Sequence, residues 1–325
     1  MNTKINRIAG LLSLLGASVL MGACSFTPPQ TTVLTIGTAD SGGTMYPVGS
    51  AIARVISDYD NHIKVNISAS NGSLTNVEGI RDGQIDLALV SGDVAFCAYN
   101  GTEEFSQKPA KGLRTIAAVY SSLSNWMAPD SAELFYVHDL SGRRISVGPK
   151  DSTTELSART ALSIVGLNNA NTVLKNYGLG AGSREIENGN VDALHGFAGI
   201  PINGLTELAK AVPSHLLKYT DEELERLLSE NLYYYKTSIP AGTYAGQDEE
   251  VKTFGVKCLI CVSENMSEEL VYRLTQILDE SRPELITSHE ALSSLEQNGF
   301  MCQDLPIPLH PGAKKYYIEA GYLSE

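Results

Sequence analysis

The chain has 325 residues, with 24 Lys and Arg against 37 Asp and Glu, a formal net charge of −13. That acidic balance argues against nucleic acid and anionic lipid as partners, because both call for a basic face. The roughly 300 residues beyond the N-terminal leader are too many for one ordinary core and predict two domains.

At the N-terminus, Lys4 and Arg7 precede an apolar run from Ile8 to Met21. Small residues Gly22 and Ala23 then lead to Cys24, the order expected of a secretory signal. Leu20-Met21-Gly22-Ala23-Cys24 is similar to the bacterial lipoprotein signal, in which residues 1–23 are removed and the thiol of Cys24 is acylated. Several acyl chains would hold the protein at the extracytoplasmic face of a membrane while the folded part stays in water. Residues 24–32, with Pro28 and Pro29, read as a tether. No later run is apolar for long enough to span a bilayer.

Val33 to Gly37 predicts a strand, and Pro47 to Tyr59 a helix with proline in its first turn. Ile63 to Ser68 alternates as a strand, Leu74 to Arg81 is helical, and Ile85 to Val90 and Leu113 to Tyr120 read as buried strands. The pattern restarts with a strand over Arg143 to Val147, a helix over Ser152 to Val165 and a short strand over Val191 to Leu194. A helix over Ile202 to Ala211 follows, then one begun by the capping box Thr220-Asp-Glu-Glu223. The last stretch holds a strand over 252–262 and helices near 267–280, 288–298 and 311–320. This alternation predicts an α/β fold of parallel sheets with helices on both faces. Extended segments near 120–138 and 232–250 would join two such units and leave a cleft between lobes, with a hinge at its floor. Residues 33–137 and 237–325 would form lobe I, and residues 138–236 lobe II.

Beyond Cys24 there are Cys97, Cys258, Cys261 and Cys302, too few for a disulfide framework. The C-x-x-C spacing of Cys258 and Cys261 falls inside a strand, where residues three apart point to opposite faces. Buried apolar thiols are therefore expected there, and no second ligand pair completes a metal site.

Chemistry concentrates in loops that follow strands. Gly37-Thr-Ala-Asp-Ser-Gly-Gly-Thr44 has the glycine spacing of a phosphate loop, but Thr44 follows Gly43 directly where a P-loop needs Lys. What remains is either a turn offering backbone N–H groups to a carboxylate, or a tight turn with Ser41 or Thr44 as N-cap. Ser70-Asn-Gly-Ser73, Ser91-Gly-Asp93 and Asp151-Ser-Thr-Thr-Glu155 repeat the arrangement, though Ser152 and Glu155 are also a plain capping box. All four loops fall at the C-terminal ends of predicted parallel strands, the edge where open α/β sheets bind ligands. No G-x-S-x-G elbow, H-E-x-x-H motif or dinucleotide fingerprint occurs, so no catalytic residue is assigned. His195 could face the cleft but has no assignable partner, and His310, between prolines, reads as structural. Trp126 and Tyr233-Tyr-Tyr235 read as hinge or wall packing.

Thr35-Ile-Gly-Thr with Ser41-Gly-Gly-Thr-Met-Tyr-Pro-Val-Gly49 resembles the N-terminal signature of TAXI-type solute-binding proteins of tripartite ATP-independent periplasmic (TRAP) transporters. Asp139-Leu-Ser-Gly-Arg-Arg144, Ser238-Ile-Pro-Ala-Gly-Thr-Tyr244 and Leu305-Pro-Ile-Pro-Leu-His-Pro-Gly-Ala313 are similar to later signatures of that family, in the same order. The resemblance implies a type II periplasmic-binding fold of two α/β lobes. It also implies a ligand such as glutamate, another small dicarboxylate or an amino acid, delivered to an ion-gradient-driven permease without an ATPase or a cofactor. By position, Ser41, Gly42, Gly43, Thr44, Tyr46, Asn71, Gly72, Ser73, Asp93 and Tyr120 would face the ligand, with Ser152, Thr153, Thr154, Glu155 and Phe197 opposite. The chain departs from the pattern at Gly92-Asp93, Tyr120-Ser-Ser122, Asp151 and His195. An Asp151 turned into the cleft would repel a carboxylate and favour a ligand carrying an amino group. The alternative reading is a sensory module of the same fold that reports bound ligand to a membrane signalling partner.

Overall fold

The computed structural model describes residues 31–39 and 43–324. The signal sequence, Cys24, most of the tether, Ser41 and Gly42 lie outside the described residues.

Strands β1 (Thr32–Gly37), β2 (Ile63–Ser68) and β3 (Leu87–Ser91) form a parallel set in the order β2-β1-β3. Each is followed by a helix: α1 (Met45–Tyr59), α2 (Ser73–Arg81) and α3 (Gly92–Asn100). Helix α1 forms because Val48, Ile52, Val55 and Ile56 recur at helical spacing and bury one face. The sequence pattern placed a loop at Ser91-Gly-Asp93, but the chain turns directly into α3 there.

The 17-residue β4 (Leu113–Pro129) then leads to a second parallel set. It comprises β5 (Arg144–Ser146), β6 (Val173–Lys175) and β7 (Ala193–Ala198), in the order β7-β5-β6. Helix α4 (Thr153–Ile164) follows β5, and α5 (Leu179–Glu187) follows β6. Helix α5 is hidden in the sequence by Gly180 and Gly182, poor helix formers. Packing explains Gly182, where a Cβ would stand 2.6 Å from Ser146 Oγ. After β7 come α6 (Asn203–Ala211), β8 (Ser214–Leu216), α7 (Asp221–Glu230), β9 (Tyr235–Ile239) and β10 (Val251–Ser263). Helices α8 (Glu268–Glu280), α9 (Arg282–Ser288) and α10 (Pro311–Glu319) complete the chain, with Glu290–Glu296 as a 3-10 helix where an α-helix was expected. His310 caps α10, its Nδ1 accepting the Gly312 N–H at 3.2 Å.

The sheet is mixed rather than parallel throughout. Its order is β2-β1-β3-β10-β4-β7-β5-β6, and β10 lies antiparallel to both β3 and β4, while β4 lies antiparallel to β7. The reason is topological: β4 and β10 carry the chain between the two parallel sets in opposite directions. The return is made by β10 and not by the 232–250 segment, whose strand β9 pairs alongside the start of β10.

Three apolar clusters fill the molecule. One contains Ile36, Ile52, Leu89, Ile116, Ile260 and Leu274, a second Trp126, Ile145, Leu162 and Phe254, and a third Met127, Leu194, Leu205 and Ile239. Each fully buried aliphatic side chain contributes about 1.5–3 kcal/mol of transfer free energy. The chain leaves the first cluster within β4, between Tyr120 and Leu123, and rejoins it within β10, between Val256 and Cys258. The cores thus change over inside these strands, not at the 137/138 and 236/237 boundaries read from the sequence. Cys258 and Cys261 are buried free thiols of β10, and burial pushes Cys258 up to about 12.

Candidate functional site

The C-terminal ends of β1 and β2 face those of β5 and β7 across a small cavity of about 80 Å³. Gly43, Thr44 and Met45 line it from the start of α1, Asn71 and Gly72 from the start of α2, and Tyr120 and Ser122 from β4. The opposite wall is Pro149, Ser152, Thr153 and Thr154 at the start of α4, with Leu179, Phe197 and Ala198.

Of the site residues named from the sequence, Gly43, Thr44, Asn71, Gly72, Tyr120, Ser152, Thr153, Thr154 and Phe197 are therefore brought together here. Tyr46, Ser73, Asp93 and Glu155 are not in the lining, and three of them have structural work instead. Ser73 is buried and its Oγ accepts the Ser91 N–H at 3.0 Å, tying the start of α2 to the end of β3. Asp93 accepts the Val94 N–H at 2.8 Å and the Tyr234 hydroxyl at 3.0 Å, and burial raises its carboxyl above the ordinary value. Glu155 accepts the Asp151 N–H and the Arg159 guanidinium, both at 2.7 Å. Burial works to raise its pKa, but Arg159 and the Asp151 N–H outweigh it and hold the carboxyl below its usual range. Tyr46 lies one residue into α1, half-buried.

Asp151 is exposed and outside the lining, so the repulsion expected of an inward-facing carboxylate does not arise. No charged side chain lines the cavity among the described residues. Three helices, α1, α2 and α4, instead begin at its wall, and their free N–H ends carry partial positive charge. Ser152 Oγ is committed locally, 2.6 Å from Pro149 O and accepting the Glu155 N–H at 3.2 Å.

The sequence reading missed Ala39, Ser122, Pro149 and Leu179. Ser122 alone had a usable signal, since it shares a strand face with Tyr120. It also missed two contacts that hold the walls. Asn76 Nδ2 donates to Thr38 O and Leu89 O, both at 2.8 Å, and so clamps the ends of β1 and β3. Thr44 Oγ1 donates to Gly199 O at 3.1 Å in a buried bond between the start of α1 and the residue after β7. A Cβ at Gly199 would stand 2.6 Å from Ala291 Cβ and 3.0 Å from Tyr120 Cδ2, so only glycine permits this approach.

His195 lies behind the cavity, fully buried, and burial lowers its pKa to about 3. Its Nδ1 is 3.1 Å from Thr154 O, which can only accept, so Nδ1 carries the proton. Nε2 then accepts from Ser124 Oγ at 3.1 Å. Ser124 accepts from Tyr219 OH at 3.1 Å, and Tyr219 accepts from Trp126 Nε1 at 2.6 Å. This directional chain fixes the first turn of α4 against β4 and β7.

The NMT1-like family profile matches residues 36–321. The chain is similar in fold to PhnD1 of Prochlorococcus marinus in complex with methylphosphonate, with TM-score 0.55, 14% identity, and 80% of this chain and 91% of that one covered. It is similar also to a Xanthomonas citri protein bound to ATP, with TM-score 0.51, 11% identity, and coverage of 90% and 97%. A putative L-cystine ABC transporter of Listeria monocytogenes gives TM-score 0.50, 12% identity, and coverage of 81% and 96%. The fold is the type II periplasmic-binding fold.

Proposed function

The chain belongs to the NMT1-like family, and on that premise we propose that it is an extracytoplasmic solute receptor of two lobes that closes over a small ligand. The Thr44–Gly199 bond carries this reading: it bridges two walls built from loops at the strand ends, beside a cavity of about 80 Å³ that opening of the walls would enlarge. Strands β4 and β10, where the core changes over, serve as the hinge. Ligand contacts to both walls would favour the closed state.

The ligand class is a small carboxylate or amino acid such as glutamate. Support comes from three helix N-termini at the cavity and from the lack of any acidic side chain in its described lining. The protein acts without turnover and hands its ligand to an ion-gradient-driven TRAP permease as a TAXI-type receptor. That assignment draws on the ordered signatures from Thr35 to Ala313, because the fold alone is shared with a putative L-cystine ABC transporter. The anchor is the acylated Cys24.

Calorimetric titration of the chain from Ser25 onward with amino acids, dicarboxylates and oxo-acids tests the reading. Stoichiometric binding of one of them, without chemical change, is the expected outcome. Turnover of the bound compound, or silence across the panel with binding of a nucleotide, would overturn it.

A further inference from the structure

Side chains alternate along β4, and the strand has a cavity on each face. Tyr120 and Ser122 face the cleft, whereas Ser121 and Leu123 face a groove of about 740 Å³ on the other side. The two linings share no residue, and Gly199 alone separates Ala198 of the cleft from Ile200 of the groove. The groove is drawn from all three cores, with Phe300 from the first, Tyr234 from the second and Leu123 from the third. Its volume falls within the roughly 300–1,000 Å³ of small-molecule sites.

The chemistry of its wall selects the ligand. Among the described residues Lys257 is the only cation in the lining and Asp304 the only carboxylate, so the groove is close to neutral. Lys257 Nζ already donates to Phe300 O at 3.1 Å and to Gln303 O at 2.8 Å. An anion would meet a largely committed ammonium on a chain of net charge −13. The other polar groups are hydroxyls such as Ser293 and Ser294 and the amides of Gln297 and Asn298, which can both donate and accept. Tyr235 adds an aromatic ring, its hydroxyl tied to Ser121 Oγ.

We propose that this groove is a second ligand site, taking a neutral polyol or small saccharide, distinct from the solute cleft. Many hydroxyls would use the mixed donors and acceptors, and apolar C–H faces would lie against the ring. Because the walls come from separate cores, an occupant that fits this arrangement favours it over others and so biases the hinge. That last consequence rests on the receptor reading; binding in the groove does not.

The test is calorimetric titration of the protein with D-glucose, D-ribose, sorbitol, sucrose and trehalose. One or more of these is expected to bind the unaltered chain, with affinity falling about tenfold or more in Gln297→Trp. Gln297 is exposed at the rim, so the substitution leaves the core alone. Asn298→Ala, a smaller exposed change, is expected to weaken the same binding in the same direction. Silence across the panel overturns the proposal, and so does binding that both substitutions leave unchanged. A carboxylate or amino acid that still binds Gln297→Trp leaves the receptor reading intact whatever the groove does.

Discussion

The hydroxyl of Thr44 and the carbonyl of Gly199 meet at 3.1 Å, joining the first turn of α1 to the segment after β7. The contact depends on a missing side chain, since a Cβ at residue 199 would press within 2.6 Å of Ala291 and 3.0 Å of Tyr120. Gly199→Ala is therefore expected to hold the walls apart. Overpacking of this kind costs about 1–3 kcal/mol, and affinity for the cleft ligand should fall about tenfold or more. Calorimetry and urea denaturation on the same variant check both halves. Unchanged affinity would mean that the closed approach is not needed for binding.

Much of this architecture was legible in the sequence. Strands β1 and β2 and helix α4 follow from periodicity and capping, and the loops at Thr44, Gly72 and Thr153 were found because glycine and hydroxyl residues follow strands there. What stayed hidden depends on contacts distant in the chain. Gly182 and Gly199 owe their identity to Ser146, Ala291 and Tyr120, which no local pattern reveals. Asp93 and Glu155 follow strands in the same way but sit in the first turns of α3 and α4, outside the lining, where Tyr234 and Arg159 claim their carboxylates. The apolar run from Leu113 to Tyr120 and the extended segment near 120–138 read as separate pieces, because nothing local marks that one strand, Leu113–Pro129, runs through both.

His195 makes acid stability testable. Its folded pKa of about 3 lies below the ordinary 6.5, so the unfolded chain takes up a proton that the folded chain refuses. Its contribution is complete above the ordinary value and is lost progressively as pH falls toward the folded one. Between pH 7 and pH 5 this one group should remove about 2 kcal/mol. His195→Phe lacks that dependence, though it leaves the Ser124 hydroxyl without its acceptor at a cost of about 1–3 kcal/mol, while Thr154 O keeps the Ser157 hydroxyl. The stability lead of the unaltered chain over the variant, measured in urea, is expected to shrink between pH 7 and pH 5. A lead independent of pH would refute a buried neutral imidazole.

The anchor reading makes a separate prediction. Cys24→Ser removes the thiol that acylation requires, so the protein should move from the membrane fraction to the soluble extracytoplasmic fraction, with ligand binding unchanged. Retention of the serine variant on membranes would place the attachment elsewhere.

Asp93 and Thr153 separate a structural carboxylate from a cleft residue. Asp93 is buried with its pKa raised, so its charged form is disfavoured in the folded chain. Asp93→Asn keeps an oxygen for the Val94 N–H, presents its amide N–H to the Tyr234 hydroxyl, which can also accept, and removes that charge. Stability near pH 7 should hold or rise, and any gain should fade in acid as the native carboxyl takes up its own proton. Affinity for the cleft ligand should stay within about twofold, a difference of roughly 0.4 kcal/mol. Thr153 lines the cavity at the start of α4 and its hydroxyl caps nothing, Ser152 being the N-cap. Thr153→Trp should fill the cavity, abolish binding and leave the melting transition nearly unchanged. If Asp93→Asn abolished binding while Thr153→Trp retained it, the ligand would sit behind α3, and the cleft between α1 and α4 would lose its assignment.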